Sequence, residues 1–227
     1  MEPDIEAALQ RSFLGHLPRD MVDRLVEGQL RMDVPADTTI YREGEASQAF
    51  LVTSGLFRLF LVSGDGRQVT IRYGRPSDVL GTALVVGGPL DVRAQTLAPS
   101  TILGIDVARL EEAARGDAGV AYALSREISR RLDETLQQMA ITAFGSVKQR
   151  VASQLLELAT TQDRSDDRLS AHLSQQELAD AVGSVREVVA RALRDLRAAG
   201  IVATSTDEVV ILDATRLFDE SWGSGRV

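Results

Sequence analysis

The stretch LSQQELADAVGSVREVVARALRDLRAAGIV, residues 173–202, constrains this chain more than any other. Ser174 and Glu177 have the spacing of a capping box, in which a hydroxyl and a carboxylate each serve an exposed amide at a helix start. Leu178, Ala181 and Val182 then share one helical face. Gly183 sits where a left-handed residue ends a helix. Ser184 and Glu187 repeat the capping spacing and predict a second start. Val188, Val189, Ala192, Leu193 and Leu196 give the second helix an apolar face, while Arg186, Glu187, Arg191, Arg194 and Arg197 point the other way. Small Ala179 lies where the two helices would cross. Two short helices about a small-residue turn, the second studded with Arg, form the unit that presents a recognition helix to a major groove. An ordinary helical hairpin with a charged solvent face satisfies the same residues.

At 227 residues the chain suits one large or two small domains. Its longest apolar runs, near residues 51–52 and 84–86, are far too short to cross a bilayer. The opening MEPDIEAALQ is acidic and lacks the basic-then-apolar order of a signal peptide, so a cytoplasmic protein without membrane contact is expected. The absence of cysteine excludes disulfides, thiolate nucleophiles and Cys-ligated metal sites. His16 and His172 lie far apart without neighbouring ligands, and no metal site is expected. Paired histidines and a phosphate-cradling Gly loop followed by Lys are also missing, so no catalytic constellation and no required cofactor are expected. With 33 acidic against 25 basic residues the net charge is −8, which repels nucleic acid as a whole. DNA binding would then rest on a local patch and on base contacts. The Arg-bearing helix is such a patch, diluted by Asp180 and Asp195.

Upstream, residues 5–30 carry a helical period, with Pro18 expected in the first turn of a helix. From Met32 to about Asp106 the pattern changes to short β-rich runs separated by turns: residues 38–41, 50–53, 56–62, 68–73, 79–80, 92–97 and 101–105. Ser63-Gly64-Asp65-Gly66 is a hairpin signal, and Glu43-Gly44-Glu45 and Gly87-Gly88-Pro89 mark further turns. Many short strands with closely spaced turns indicate a barrel or double-sheet jelly roll. Helix returns at about 107–145, interrupted early by Gly116 and Gly119. Within it Ile128, Leu132, Thr135, Met139 and Thr142 follow alternating spacings of four and three, a heptad seam better covered by a twin helix than by a sheet. Arg126, Glu127, Arg130, Arg131, Asp133 and Glu134 are expected to flank that seam. Packing lengthwise on the chain's own barrel is the competing use of the same face. Phe144-Gly145-Ser146 is the expected hinge, residues 147–160 a further amphipathic helix, and 162–167 a loop. Residues 201–204 and 209–212 read as a two-stranded wing, and 219–227 as a loose tail. The resulting division is 1–115, a helical cap with a sensing barrel; 116–145, a dimerisation helix with hinge; and 146–227, a winged helix-turn-helix.

This order, an α+β chain, resembles the catabolite activator protein and fumarate–nitrate regulator (CRP/FNR) family of bacterial transcription factors over nearly its whole length. The resemblance is carried by FLVTSGLFRLFLV followed by SGDGRQV, by RYGRPSDVLG where the family has its Gly-Asp-x-hydrophobic-Gly turn, by SRRLDETLQQM, and most specifically by LSQQELADAVGSVREVVARAL. It implies an N-terminal cyclic-nucleotide-binding-like jelly-roll barrel and a long dimerisation helix ahead of the winged helix-turn-helix. It also implies half-site reading by Arg186, Glu187 and Arg191. The chemistry agrees, since Arg can donate twice to guanine and a carboxylate can accept from cytosine N4. Ser174 and Gln176 resemble phosphate anchors. The effector pocket departs from the cyclic-AMP type. Receptors of that nucleotide carry Gly-Glu and then Arg-Ser, where this chain has Gly81-Thr82 and, near the second pair, Leu90-Asp91, with Arg93 as a substitute if the loop is re-registered. Thr135 holds the position that reaches the adenine, but Leu136 replaces the polar residue beside it. A cyclic phosphate facing Asp91 would desolvate two unpaired negative charges, so cyclic-AMP binding is not expected and the effector is left unnamed.

The reading is a homodimeric regulator that binds palindromic double-stranded DNA, with RNA polymerase as the partner the family implies. The alternative is a small-molecule-binding signalling protein whose helix-turn-helix does not read DNA.

Overall fold

The computed structural model describes residues 2–41, 48–66, 68–83, 85, 92–161 and 168–222. They fall into two compact units, Met1–Glu134 and Thr135–Val227.

In the first unit, α1 (Pro3–Arg11), a 3-10 turn (Phe13–His16) and α2 (Arg19–Val26) precede the strands. Pro18 is the residue before α2 rather than within its first turn. Eight strands follow: β1 (Arg31–Val34), β2 (Thr39–Tyr41), β3 (Ala49–Ser54), β4 (Phe57–Val62), β5 (Gln68–Gly74), β6 (Val79–Leu80), β7 (Arg93–Thr96) and β8 (Ser100–Ile105). They pair antiparallel in two four-stranded sheets, ordered β1-β8-β3-β6 and β2-β7-β4-β5, which is the double-sheet arrangement of a jelly roll. The hairpin expected at residues 63–66 joins β4 to β5, with Val62 opposite Gln68. The turns at 43–45 and 87–89 lie outside the described residues.

The first unit buries two apolar clusters. Phe50, Val52, Phe57, Leu59, Leu80, Ala94 and Ile102, drawn from both sheets, form one. In the other, Leu51, Leu103 and Ile105 meet Leu14 and Leu25 of the N-terminal helices, with Leu110 and Leu124 from the helices after β8. Those helices are α3 (Val107–Gly116), capped by the Asp106 carboxylate accepting from the Arg109 amide at 3.0 Å, and α4 (Ala118–Phe144). The long helix α4 runs from the first unit into the second.

The second unit begins with the end of α4 and continues through α5 (Val147–Thr161), β9 (Ser170–His172), α6 (Gln175–Ala181), α7 (Arg186–Ala198), β10 (Val202–Thr204), β11 (Glu208–Ile211) and α8 (Ala214–Trp222). Two expectations change here. The wing sheet has three strands, ordered β10-β11-β9, because β9 pairs with β11 through Val209 opposite Ala171. The tail is helical as far as Trp222: α8 buries Leu217 and Phe218, stacks Phe218 on Trp222 at 5.8 Å, and ties Glu220 to Lys148 of α5 at 2.7 Å. The break between α4 and α5 is fixed by contact. A Cβ at Gly145 would lie 2.5 Å from the Ile141 carbonyl oxygen, so only glycine fits.

Candidate functional site

The helix-turn-helix is built as its residues dictate. Ser174 caps α6 by accepting from the Glu177 amide at 3.2 Å, and the Glu177 carboxylate accepts from the Ser174 amide at 2.7 Å. Hydrogen bonds from the Ser174 amide and hydroxyl hold the Glu177 carboxyl below its ordinary value. Replacing Ser174 with Ala is expected to cost about 1 kcal/mol of stability, read as a lower urea midpoint at unchanged slope.

At the other end of α6, Gly183 is left-handed at φ 61°. Its amide donates to the Asp180 carbonyl at 3.2 Å, and the Ser184 amide donates to that of Ala179 at 2.9 Å, which together close a Schellman turn. This spends Ser184 on ending the first helix, so the second capping box does not form. The residue before α7 is Val185, without a side-chain cap. Leu178, Ala179 and Val182 are buried against Val189, Ala192, Leu193 and Leu196, whereas Ala181 is exposed and Val188 half-buried. Arg150 of α5 braces the turn, donating from Nε to the Val182 carbonyl at 3.0 Å and from Nη1 to the Gly145 carbonyl.

The outward face of α7 carries Arg186, Glu187 and Arg191, all exposed, with Arg194 and Arg197 beyond. Glu187, not engaged in a capping box, follows Arg186 in the first turn of the helix. At the start of α6, Gln176 is exposed but its amide donates to Asp180 at 2.9 Å.

Other expected site residues are distributed more widely. Gly81, left-handed at φ 84°, and buried Thr82 follow β6 in one sheet, while Arg93 opens β7 in the other, opposite Phe60. Leu90 and Asp91 lie outside the described residues. Thr135 and Leu136 belong to the second unit. On α4 the seam residues Ile128, Leu132 and Met139 are 38%, 60% and 66% exposed in the single chain, and Thr135 is half-buried. Thr142 lies on the same helix, its side chain outside the description.

Of the charges expected to flank the seam on α4, Arg126, Arg130 and Asp133 are exposed, but two turn inward. Glu127 and Arg131 are buried and join Asp78, in the turn between β5 and β6. Arg131 Nη1 lies 3.3 Å from the Asp78 carboxylate and its Nη2 2.5 Å from Glu127. Arg130 reaches Asp78 at 3.1 Å and Glu127 at 2.8 Å, and also pairs with Glu134. Arg72 of β5 lies 3.7 Å from both Asp78 and Glu134. Burial, reinforced by Arg131, lowers the Arg72 guanidinium to about 10. Burial pushes the Asp78 carboxyl up, but Arg131 and Arg72 outweigh it and hold it below its ordinary value. Glu134 is raised, by burial first and then by the Asp78 carboxylate. The sequence signal was the i, i+3, i+4 spacing of opposite charges at 127, 130, 131 and 134, which apolar periodicity ignores.

Among the described residues no three His, Cys, Asp or Glu side chains are grouped to hold a metal ion, and no helix is long and apolar enough to cross a membrane.

A double-sheet domain, a long helix and a winged helix-turn-helix define a class of DNA-binding transcriptional regulators. Residues 31–117 match the cyclic nucleotide-binding domain family and residues 149–219 the Crp-like helix-turn-helix domain family. The transcriptional regulator LdrP of Thermus thermophilus is 30% identical over 186 residues, covering 81% of this chain and 92% of LdrP. The CRP-like cAMP-activated global transcriptional regulator of Mycobacterium tuberculosis is 31% identical over 191 residues, covering 82% and 85%. A solved structure from Eubacterium rectale, assigned to the CRP/FNR family of transcriptional regulators, superposes with a TM-score of 0.57 at 21% identity, covering 92% of this chain and 97% of that one. The chain belongs to the CRP/FNR family of transcriptional regulators and carries that family's helix-turn-helix DNA-binding domain.

Proposed function

We propose that the protein acts as a homodimer that reads a palindromic operator with Arg186, Glu187 and Arg191. The supporting observation is the exposed first turn of α7, where Arg186 and Glu187 face solvent at the start of a helix whose preceding turn Arg150 holds at the Val182 carbonyl. Arg186 and Arg191 donate to guanine O6 and N7, and Glu187 accepts from cytosine N4. Ser174 and Gln176 contact phosphates and set the register of the helix. The working division of labour is 1–115 for sensing, 116–145 for dimerisation and the hinge, and 146–227 for DNA, with no catalysis and with RNA polymerase as the downstream partner. The ligand of the sensing domain acts through its differential affinity for two arrangements related by movement at Gly145. That ligand is not cyclic AMP, because Thr82 offers a hydroxyl where the receptors of that nucleotide supply a carboxylate.

Anisotropy titrations against a library of inverted repeats test this reading. Full-length protein will select one palindrome in a salt-dependent manner. Arg186→Ala will lose roughly 1–3 kcal/mol of discrimination at one base pair per half-site and keep its preference elsewhere. An unchanged base preference in Arg186→Ala would remove Arg186 from the site. Absence of any selective binding would favour the signalling alternative.

A further inference from the structure

The geometry points to a second ligand site in the first unit, a binding cleft for a phosphate-type oxyanion among Arg11, Ser77, Arg75 and Arg130. The cleft holds about 430 Å³ and is bounded by the end of α1, the turn between β5 and β6, and Glu127 and Arg130 of α4. That volume falls in the range of small-molecule sites.

Two observations support it. Ser77 is left-handed at φ 77°, a conformation that only one other non-glycine, Asp37, adopts among the described residues. L side chains avoid this region and glycine would be relaxed there, so a serine held in it marks a place where the hydroxyl is used. That hydroxyl lies in the cleft wall and accepts from Arg11 Nε at 3.3 Å. The second observation is Arg11 itself, exposed at the end of α1 and held by this hydroxyl, with no carboxylate engaging it among the described residues. Its bland use is to complement the negative end of α1. That use does not require Ser77.

The carboxylates at the edge of the cleft, Asp78 and Glu127, are each answered by Arg130 and Arg131. Glu134 is likewise answered by Arg130, with Arg75 3.8 Å away, so Arg11 beside the Ser77 hydroxyl is the cation offered to a ligand, and the surrounding guanidinium groups outnumber the carboxylates. The site also stays open in a dimer. Arg130 is two residues from the seam residue Ile128, which at about 100° per residue places it on roughly the opposite side of the helix. A bound oxyanion would tie the end of α1 and the β5–β6 turn to α4.

Inorganic phosphate is the probe, titrated calorimetrically into full-length protein at constant ionic strength across the millimolar range. Saturable binding of one phosphate per chain is expected. Arg11→Gln and Ser77→Gly should each weaken it at least about tenfold, the effect of one charge-assisted hydrogen bond. Ser77→Gly should melt no lower than the parent, since it relieves the left-handed backbone, and this separates loss of the hydroxyl from loss of the fold. Arg186→Ala, in the DNA-reading helix, should bind phosphate as the parent does. Failure of the parent to saturate, equal affinity in Arg11→Gln and Ser77→Gly, or loss of binding in Arg186→Ala would each overturn the assignment, whatever the outcome of the DNA titrations.

Discussion

Asp78→Ala is expected to destabilise the protein by about 3–5 kcal/mol, because it removes the shared partner of buried cations instead of replacing the whole cluster. Asp78 accepts from the Arg75 amide at 2.9 Å and faces Arg131, Arg130 and Arg72. A urea midpoint that falls without a change in slope would report this loss, and an unchanged midpoint would show that the network contributes nothing to stability. A cycle with Arg131→Met should recover part of the loss, since contacting residues are non-additive. The acid limb follows from the directions of the two shifts. Asp78 is held below its ordinary value, so its contribution is complete above the unfolded carboxylate range and disappears as pH falls through its folded pKa. Glu134 is raised, so its protonation on the way down favours the fold and softens the first part of that descent. The parent should therefore lose stability late and steeply on acidification. In Asp78→Ala the steep part should be missing, and Glu134 should titrate lower once the neighbouring carboxylate is gone.

How much of this was legible in the sequence depends on how local each signal is. The helix-turn-helix was readable because its punctuation lies within a few residues: a capping box at Ser174, a left-handed Gly183, and apolar residues at helical spacing. The strands between residues 38 and 105 were readable from runs and turns, whereas β1, four residues with no turn signal of the same kind ahead of them, was not among the runs. The second capping box failed because a hydroxyl-x-x-carboxylate pattern does not say whether the serine closes the helix behind it or opens the one ahead. The Ser184 amide donates backwards to Ala179, and that decides the matter. Strand β9 is three residues long, and its partner on β11 lies almost forty residues on, so neither period nor length could reveal it. Buried charge is the most instructive miss. Arg58 lies inside a β-rich run yet is fully buried, donating to Thr70 at 2.6 Å and Gln68 at 2.7 Å beneath the Phe60 ring. Glu127 and Arg131 likewise sit on the buried face of α4. A charged residue reads as solvent-facing until the fold supplies its partner, and those partners are remote in sequence. Of the proposed DNA-reading residues, exposure and spacing were foreseeable, whereas the involvement of Gln176 with Asp180 was not.

Leu132→Glu is expected to convert the protein to monomers without unfolding it, with Met139→Glu behaving alike. In the single chain Leu132 is 60% and Met139 66% exposed, so a polar side chain at either position costs the isolated protomer little. In a two-fold seam each position meets its own copy or a near neighbour, and a glutamate there would place two like charges in a desolvated contact. The penalty is several kcal/mol per buried ion, more than a narrow seam can offset. Circular dichroism and the urea midpoint should match the parent, while sedimentation equilibrium should give the mass of one chain. DNA affinity should fall by roughly 10²–10⁴, the effective concentration lost when two half-sites are no longer engaged by one tethered pair. A variant that sediments as a dimer would place the contact elsewhere on the chain. One that is monomeric yet binds the palindrome as tightly as the parent would mean that α4 does not set the spacing of the two reading helices. The pairing of an unchanged protomer with a lost dimer distinguishes this reading from the competing one, in which the seam packs on the chain's own sheets and Leu132→Glu would lower the urea midpoint instead.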